Sequence, residues 1–315
     1  MIAKDKFIEK YWDEVASRNW TAVVLHDWEK IPHAITSDID YVISGPRPSE
    51  LICLISDYCE TNGWSLTQII EHEVDALYCV CFQKDDPFEC VLLDVTWDYR
   101  RKGFDLVSNE ILIRGCWMPE GKPFKVPAPS VEFLYRLIKA AAKGKDLKEV
   151  EGPLRKLADA DSEGCQNVLK EVTGRDFGGE EGSFFSRVQG EFLSDPYFQK
   201  IRSGRKFGIR EFRLYTKRVL EPTGLIVELP EGITDDVIEA VGKKMGKGFR
   251  TTRIELKRGS WISDWVARRK SVLVLRKGSA KGDLLLKEAT EVGEICVKIV
   301  KFLANRVGVR KNRYR

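Results

Sequence analysis

The chain has 315 residues, of which 43% are hydrophobic and 32% charged, with a formal net charge of +4; at that length a single core stops growing and more than one domain is expected. No apolar run approaches the roughly 20 residues of a membrane span, and the first ten residues lack a signal peptide's apolar core, so a cytoplasmic protein with no membrane partner is expected. Eight cysteines without zinc-like spacing and only three histidines leave little from which to build a zinc centre or a Ser-His-Asp triad, and the cysteines read as reduced thiols in apolar patterns.

Phe7, Ile8, Tyr11, Trp12 and Val15 recur at helical spacing, which predicts an amphipathic helix over Lys4 to Ser17. Trp20 to Leu25 then reads as a strand. A second strand opens at Ser37-Asp38-Ile39-Asp40-Tyr41-Val42-Ile43, where two carboxylates two residues apart share one strand face and can grip one cation. An Asp-x-Asp at a strand end also suits a solvated turn. Mg²⁺ takes oxygen ligands, usually one or two protein carboxylates together with substrate phosphates. Pro46 and Pro48 break the chain, and Leu51, Ile52, Ile55, Tyr58 and Cys59 mark a helix ending near Asn62-Gly63.

Three strand-like runs follow, Trp64 to Glu71, Ala76 to Phe82 and Glu89 to Thr96, separated by acidic turns, which predicts a mixed sheet with hairpin-linked neighbours. Asp94 is embedded in the apolar run Val91 to Val95, where an unpaired acid is costly. It is the candidate third carboxylate, and Asp98 is a possible orienter. Arg100, Arg101 and Lys102 form a basic loop at the strand exit, placed to meet phosphate oxygens, although such a pair of arginines equally suits a solvated surface.

The stretch Val23 to Ile43, with His26-Asp27-Trp28-Glu29 after its first strand and Asp38-Ile39-Asp40 in its second, resembles the polymerase-β-like nucleotidyltransferase fold. Together with Leu92-Leu93-Asp94-Val95-Thr96-Trp97-Asp98-Tyr99-Arg100-Arg101-Lys102-Gly103, it is similar more narrowly to the thymidylate-kinase-like proteins of bacterial polysaccharide gene clusters. That family joins a nucleotidyltransferase-like half to a helical segment and a P-loop kinase-like half. The resemblance implies Mg²⁺ or Mn²⁺ on Asp38, Asp40 and Asp94, with Asp94 also the catalytic base, and an NTP held by Ser37, Arg100, Arg101 and Lys102. For the hydroxyl or phosphate acceptor, the family's gene neighbourhoods imply a sugar or sugar phosphate, whereas the basic C-terminal third would suit RNA. One departure is evident. Where such proteins carry a Gly-Ser turn for the triphosphate, this chain has His26-Asp27-Trp28-Glu29, and acids there repel phosphate.

Pro127-Ala128-Pro129-Ser130 caps a helix from Val131 to about Lys143, and periodic runs at Leu147 to Ala158, Cys165 to Val172, Phe184 to Phe192 and Ile209 to Leu220 predict four more, with the stretch 174 to 182 loop-like. The pattern resets to a strand at Leu225 to Leu229, followed by a helix from Asp235, a strand near Arg253 to Leu256, a helix around Ser260 to Arg269, a strand Val272 to Leu275 and a helix from Asp283 to about Val307. At the family's P-loop position stands Leu229-Pro230-Glu231-Gly232-Ile233-Thr234-Asp235-Asp236, which lacks the Lys and following hydroxyl of a working phosphate loop. The expected organisation is α/β: a nucleotidyltransferase-like mixed-sheet domain over 1–126, a helical domain over 127–221, and a small α/β unit over 222–315 resembling a truncated, degenerate P-loop kinase.

Residues 200–315 carry 29 basic and 13 acidic side chains, a net +16, whereas residues 1–199 carry 23 and 35, a net −12. A polyanionic partner such as nucleic acid is one reading of that split, with Arg250, Arg253, Lys257, Arg258, Arg268, Arg269 and Lys270 interleaved with Trp261 and Trp265; docking of the basic third on the acidic half is the other. The two tryptophans are four residues apart, the spacing of a buried helix stripe. The expected function is metal-dependent nucleotidyl transfer. The alternative is a non-catalytic nucleotide- or nucleic-acid-binding regulatory protein that retains the fold.

Overall fold

The alternation of side chains between the two faces of each strand fixes which residues meet. The computed structural model describes residues 3–311 apart from 34, 36, 88, 178–183, 250, 256–259, 278–281, 287 and 290. Helix α1 (Ala3–Ser17) is followed by β1 (Thr21–Val24), β2 (Ile39–Ser44), α2 (Pro48–Thr61), β3 (Trp64–Glu73), β4 (Ala76–Gln83) and β5 (Cys90–Thr96). These strands form a mixed sheet in the order β1-β2-β5-β4-β3, with β2 and β5 parallel and the other neighbours antiparallel.

One face of this sheet lies under α1 and α2. Ile39, Tyr41 and Ile43 of β2 and Leu93 and Val95 of β5 share a core there with Phe7, Tyr11, Ile52 and Ile55. The period of two sends Asp40, Val42 and Asp94 to the opposite face. That face is divided, with Val23 and Val42 packing into the helical segment and Val80, Phe82 and Cys90 sharing a core with the C-terminal strands and helices.

Beyond β5 the chain does not leave as a loop. Strands β6 (Tyr99–Arg101) and β7 (Phe104–Val107) form an antiparallel hairpin. Its turn, Lys102-Gly103, has φ of +52° and +79° at the two residues, the pattern of a two-residue hairpin turn. A Cβ at Gly103 would stand 2.1 Å from the Lys206 carbonyl oxygen, so the close approach of the two chain segments requires glycine.

The helical part comprises α3 (Asn109–Leu112), α4 (Pro129–Lys143), α5 (Glu151–Ala160), α6 (Ser162–Thr173), α7 (Phe184–Glu191), α8 (Pro196–Ser203) and α9 (Ile209–Leu220). Part of the loop expected over 174 to 182 lies outside the described residues. Helix α8 is an addition to the expected set; it starts where the Asp195 carboxylate accepts from the Tyr197 and Phe198 amides at 2.8 and 3.3 Å, a cap with proline at the first helical position.

The remaining chain gives β8 (Leu225–Leu229), α10 (Asp235–Met245), β9 (Thr251–Glu255), α11 (Trp261–Arg269), β10 (Val272–Lys277), β11 (Leu284–Leu285) and α12 (Val292–Lys311). The strands make a parallel sheet in the order β11-β8-β10-β9. The helix expected from Asp283 starts instead at Val292. Asp283 is held at the sheet edge, its amide donating to the Ile226 carbonyl, its carboxylate accepting from the Ile226 amide and pairing with Arg268 at 2.9 Å. The protein is thus a mixed α/β structure with one mixed and one parallel sheet. All eight cysteines are free thiols. Among the described residues no helix is long and apolar enough to cross a membrane.

Candidate functional site

Asp40 of β2 stands directly opposite Asp94 of β5 in the parallel register. Both project to the face not covered by α1 and α2, and Asp38 stands one residue before β2. The three carboxylates line one cavity of about 360 Å³, whose other walls come from the turn after β1, the β6–β7 hairpin and α4.

The surroundings of Asp40 have no counterpart among the sequence expectations. Its Oδ1 accepts from Lys139 Nζ at 2.7 Å and from the Tyr135 hydroxyl at 3.3 Å, and its Oδ2 is 3.1 Å from His26 Nε2. Burial alone would raise this carboxyl's pKa, but the bonds from His26 and Lys139 outweigh it and hold it well below the usual carboxylate range. Burial would likewise lower the His26 pKa, yet its bonds to Asp27 (2.8 Å) and Asp40 hold it above the ordinary histidine value. Asp94 is paired with His72 Nε2 at 2.8 Å. Although burial opposes it, that contact keeps His72 elevated as well. Asp38 is different. Its pKa is raised by burial and then by the negative charges of Asp40 and Asp94, so added positive charge at this point is favourable.

Opposite the acids stand cations. Arg101 lines the cavity with its buried Nε lacking a hydrogen-bond partner among the described residues. Lys143 is held below the ordinary lysine value by partial burial, then by the charges of Lys139 and Arg101. In all, Asp27, Asp38, Asp40, Glu73 and Asp94 face Arg100, Arg101, Arg136, Lys139, Lys143 and Lys145 around the same space. A wall with this balance suits an anion accompanied by a cation better than a bare cation.

The other expected nucleotide-binding residues are placed differently. Arg100 lines the cavity but is already held by Asp105 (2.6 Å), Asp75 (2.7 Å) and Asp98 (3.6 Å). Lys102 sits in the hairpin turn and donates from Nζ to the Arg202 carbonyl at 2.6 Å, which turns it away from the acids. Ser37 is exposed, its hydroxyl donating to the Asp38 carbonyl at 3.4 Å, and it does not line the cavity. Asp98 braces the hairpin, accepting from the Asn109 amide at 2.7 Å. The cations of α4 carry only a faint sequence signal: Tyr135, Lys139 and Lys143 recur every four residues on a helix whose dominant pattern is its apolar face.

Three carboxylates and no thiol are donors that fit Mg²⁺ or Mn²⁺. Among the described residues, however, no three acid, histidine or cysteine side chains are arranged to hold an ion as they stand. Both oxygens of Asp40 already face protein cations, Lys139 and His26. Lys139 therefore does the work of a cation here, and Lys139→Met should cost about 2 kcal/mol of stability at pH 7, measured by urea unfolding. The sign follows from the shifts. Asp40, lowered on folding, contributes stability above its ordinary value near 4 that is lost as pH falls through its depressed value, so the gap between variant and wild type should close in acid. His26, raised on folding, contributes below about pH 6.5 and loses that contribution as pH rises through its elevated value.

Part of the basic C-terminal third is paired with its own acids. Arg253 pairs with Glu255 at 3.6 Å, Arg268 with Asp283 at 2.9 Å, and Arg276 is buried. Trp265 does not form a buried stripe; it is 41% exposed, and the Arg269 guanidinium lies 3.8 Å from its ring centre. Arg250, Lys257 and Arg258 lie outside the described residues, as does the side chain of Trp261.

Comparison of the chain with family models, with curated proteins and with solved structures found no match. The functional reading therefore rests on the geometry of this cavity.

Proposed function

We propose that the cavity is a metal-dependent nucleotidyl-transfer site, in which Asp38, Asp40 and Asp94 hold Mg²⁺ or Mn²⁺ with the phosphates of an NTP. The observation that carries this reading is the Asp40–Asp94 register with Asp38 beside it, facing Arg101, Lys139 and Lys143 across one cavity. The bound ion would stabilise charge on the transferring phosphoryl oxygens. Arg101 and Lys143 receive the phosphate oxygens, and the crowding that depresses Lys143 is relieved when an anion arrives. Asp94 accepts the proton of the attacking hydroxyl, whose oxygen bonds to the α-phosphorus as the α–β phosphoanhydride breaks and pyrophosphate leaves, while His72 orients the Asp94 carboxylate. With a metal on Asp40, Lys139 would be free to pair with a phosphate oxygen instead. In this way cations of α4 and the hairpin take the part of a phosphate-binding turn, which His26-Asp27-Trp28-Glu29 does not provide.

Transfer of label from α-labelled NTPs, with Mg²⁺ or Mn²⁺ and a panel of sugar, sugar-phosphate and RNA acceptors, tests the reading. Arg101→Ala and Lys143→Ala should each weaken Mg-NTP binding roughly tenfold in isothermal titration, consistent with loss of a charge-assisted phosphate contact. Unchanged binding in both would remove the phosphate assignment. A second reading, nucleotide binding without transfer, is favoured by the engagement of both Asp40 oxygens with protein cations; saturable Mg-NTP binding with no labelled product across the panel would select it.

A further inference from the structure

Helix α9 is folded with its apolar side outward. Ile209, Phe212, Thr216, Val219 and Leu220 recur at three- and four-residue spacing with Tyr215 beside them, an arc that ordinarily faces a core. None of the helix's residues is buried. Ile209 and Leu220 are each 75% exposed, Phe212 and Tyr215 each 58%, and Phe207, just before the helix, 67%. It is the basic side that meets the protein. Lys217 pairs with Glu71, and Arg218 donates to the carbonyls of Glu71, at 2.9 Å, and of His72.

A contiguous set of large apolar chains differs from the scattered exposure normal on a protein surface. Its border is cationic: residues 205–218 hold six Lys or Arg against the single acid Glu211, and Arg205, Arg210 and Arg213 are exposed and form no ion pair among the described residues, although Arg210 and Arg213 also line a cavity shared with Glu71, Glu73 and Asp75. A second copy of the chain would bring these arginines against one another if the helices pair parallel, which is unfavourable. An anionic lipid surface accepts both features at once, taking up the apolar arc below its headgroups and meeting the arginines with phosphates.

We propose that α9 and Phe207 form a docking surface for an anionic bilayer, with the helix lying in the plane of the headgroups. Such docking requires no span, since a 12-residue helix is far shorter than a bilayer core. The inference is independent of the chemistry proposed above.

Flotation of the full chain with vesicles of phosphatidylcholine alone, or of equal parts phosphatidylcholine and phosphatidylglycerol, tests it at about 0.05 M and about 0.5 M salt. The protein should float with the anionic vesicles only, and roughly tenfold less at the higher salt. Phe212→Asp/Leu220→Asp should reduce flotation roughly tenfold or more with an unchanged melting temperature. Arg210→Gln/Arg213→Gln, which spares the apolar arc, should weaken binding and flatten its salt dependence. Failure to float with anionic vesicles at low salt overturns the proposal, as does flotation of both variants at the wild-type level. A dimer in sedimentation equilibrium that Phe212→Asp/Leu220→Asp abolishes, in a protein that does not float, assigns the face to a second copy instead.

Discussion

Asp40→Asn should weaken Mg-NTP binding about a hundredfold or more while leaving the protein folded. The substitution keeps the side chain's shape and one carbonyl oxygen, so the contacts with Lys139 or Tyr135 can persist in neutral form. What it removes is the charge at the centre of the cluster. Asp38 and Asp94 remain, but Lys139 and His26, formerly neutralised by Asp40 at 2.7 and 3.1 Å, are freed to pair with them and compete with a cation for the same oxygens. Isothermal titration of Mg-NTP into the variant and wild type, alongside thermal unfolding of both, separates loss of the site from loss of the fold. Wild-type affinity in the variant would show that the three acids do not hold a metal-nucleotide.

Much of the acid side of this site is legible in the amino-acid sequence. Asp38 and Asp40 share a strand face by the period of two, and the apolar run around Asp94 makes a buried strand, so their meeting needs only that β2 and β5 be neighbours. The cation side is not legible, for a physical reason. Lys139 and Lys143 reach the cavity through the crossing of α4 over the β1–β2 part of the sheet, a tertiary placement that leaves no local pattern beyond a four-residue recurrence. His26 and His72, isolated along the chain, acquire meaning only beside Asp40 and Asp94. Arg100 and Lys102 depart from expectation differently. The Lys102-Gly103 turn makes a hairpin that gives Arg100 to three acids and points Lys102 at a helix end, and the turn chemistry of that basic stretch is itself a sequence signal. Helix α9 follows from its apolar recurrence, yet its apolar face points outward, because periodicity gives a face and not its partner.

The largest expected stability loss lies in the C-terminal sheet, at Arg276→Met, which should destabilise the protein by about 3–5 kcal/mol. Arg276, on β10 near the C-terminal ends of the parallel strands, is 1% exposed and bonds Glu255 at 2.5 Å and Asp264 at 2.7 Å, with the fully buried Glu228 at 3.5 Å. The bonds to Asp264 and Glu255 outweigh burial and raise its already high pKa further, so the guanidinium stays charged throughout the accessible range. Removing it takes away the cation shared by Glu228 of β8, Glu255 of β9 and Asp264 of α11, with Arg253 still 3.6 Å from Glu255; methionine fills the volume and isolates the charge effect. This is also the edge of an open parallel sheet where ligands usually bind, and here an internal ion cluster fills it beside a Leu229–Asp236 segment that lacks a phosphate-binding lysine. Urea unfolding at neutral pH should therefore show the loss. A variant as stable as wild type at pH 7 would mean that the cluster contributes nothing to holding β8, β9, β10 and α11 together.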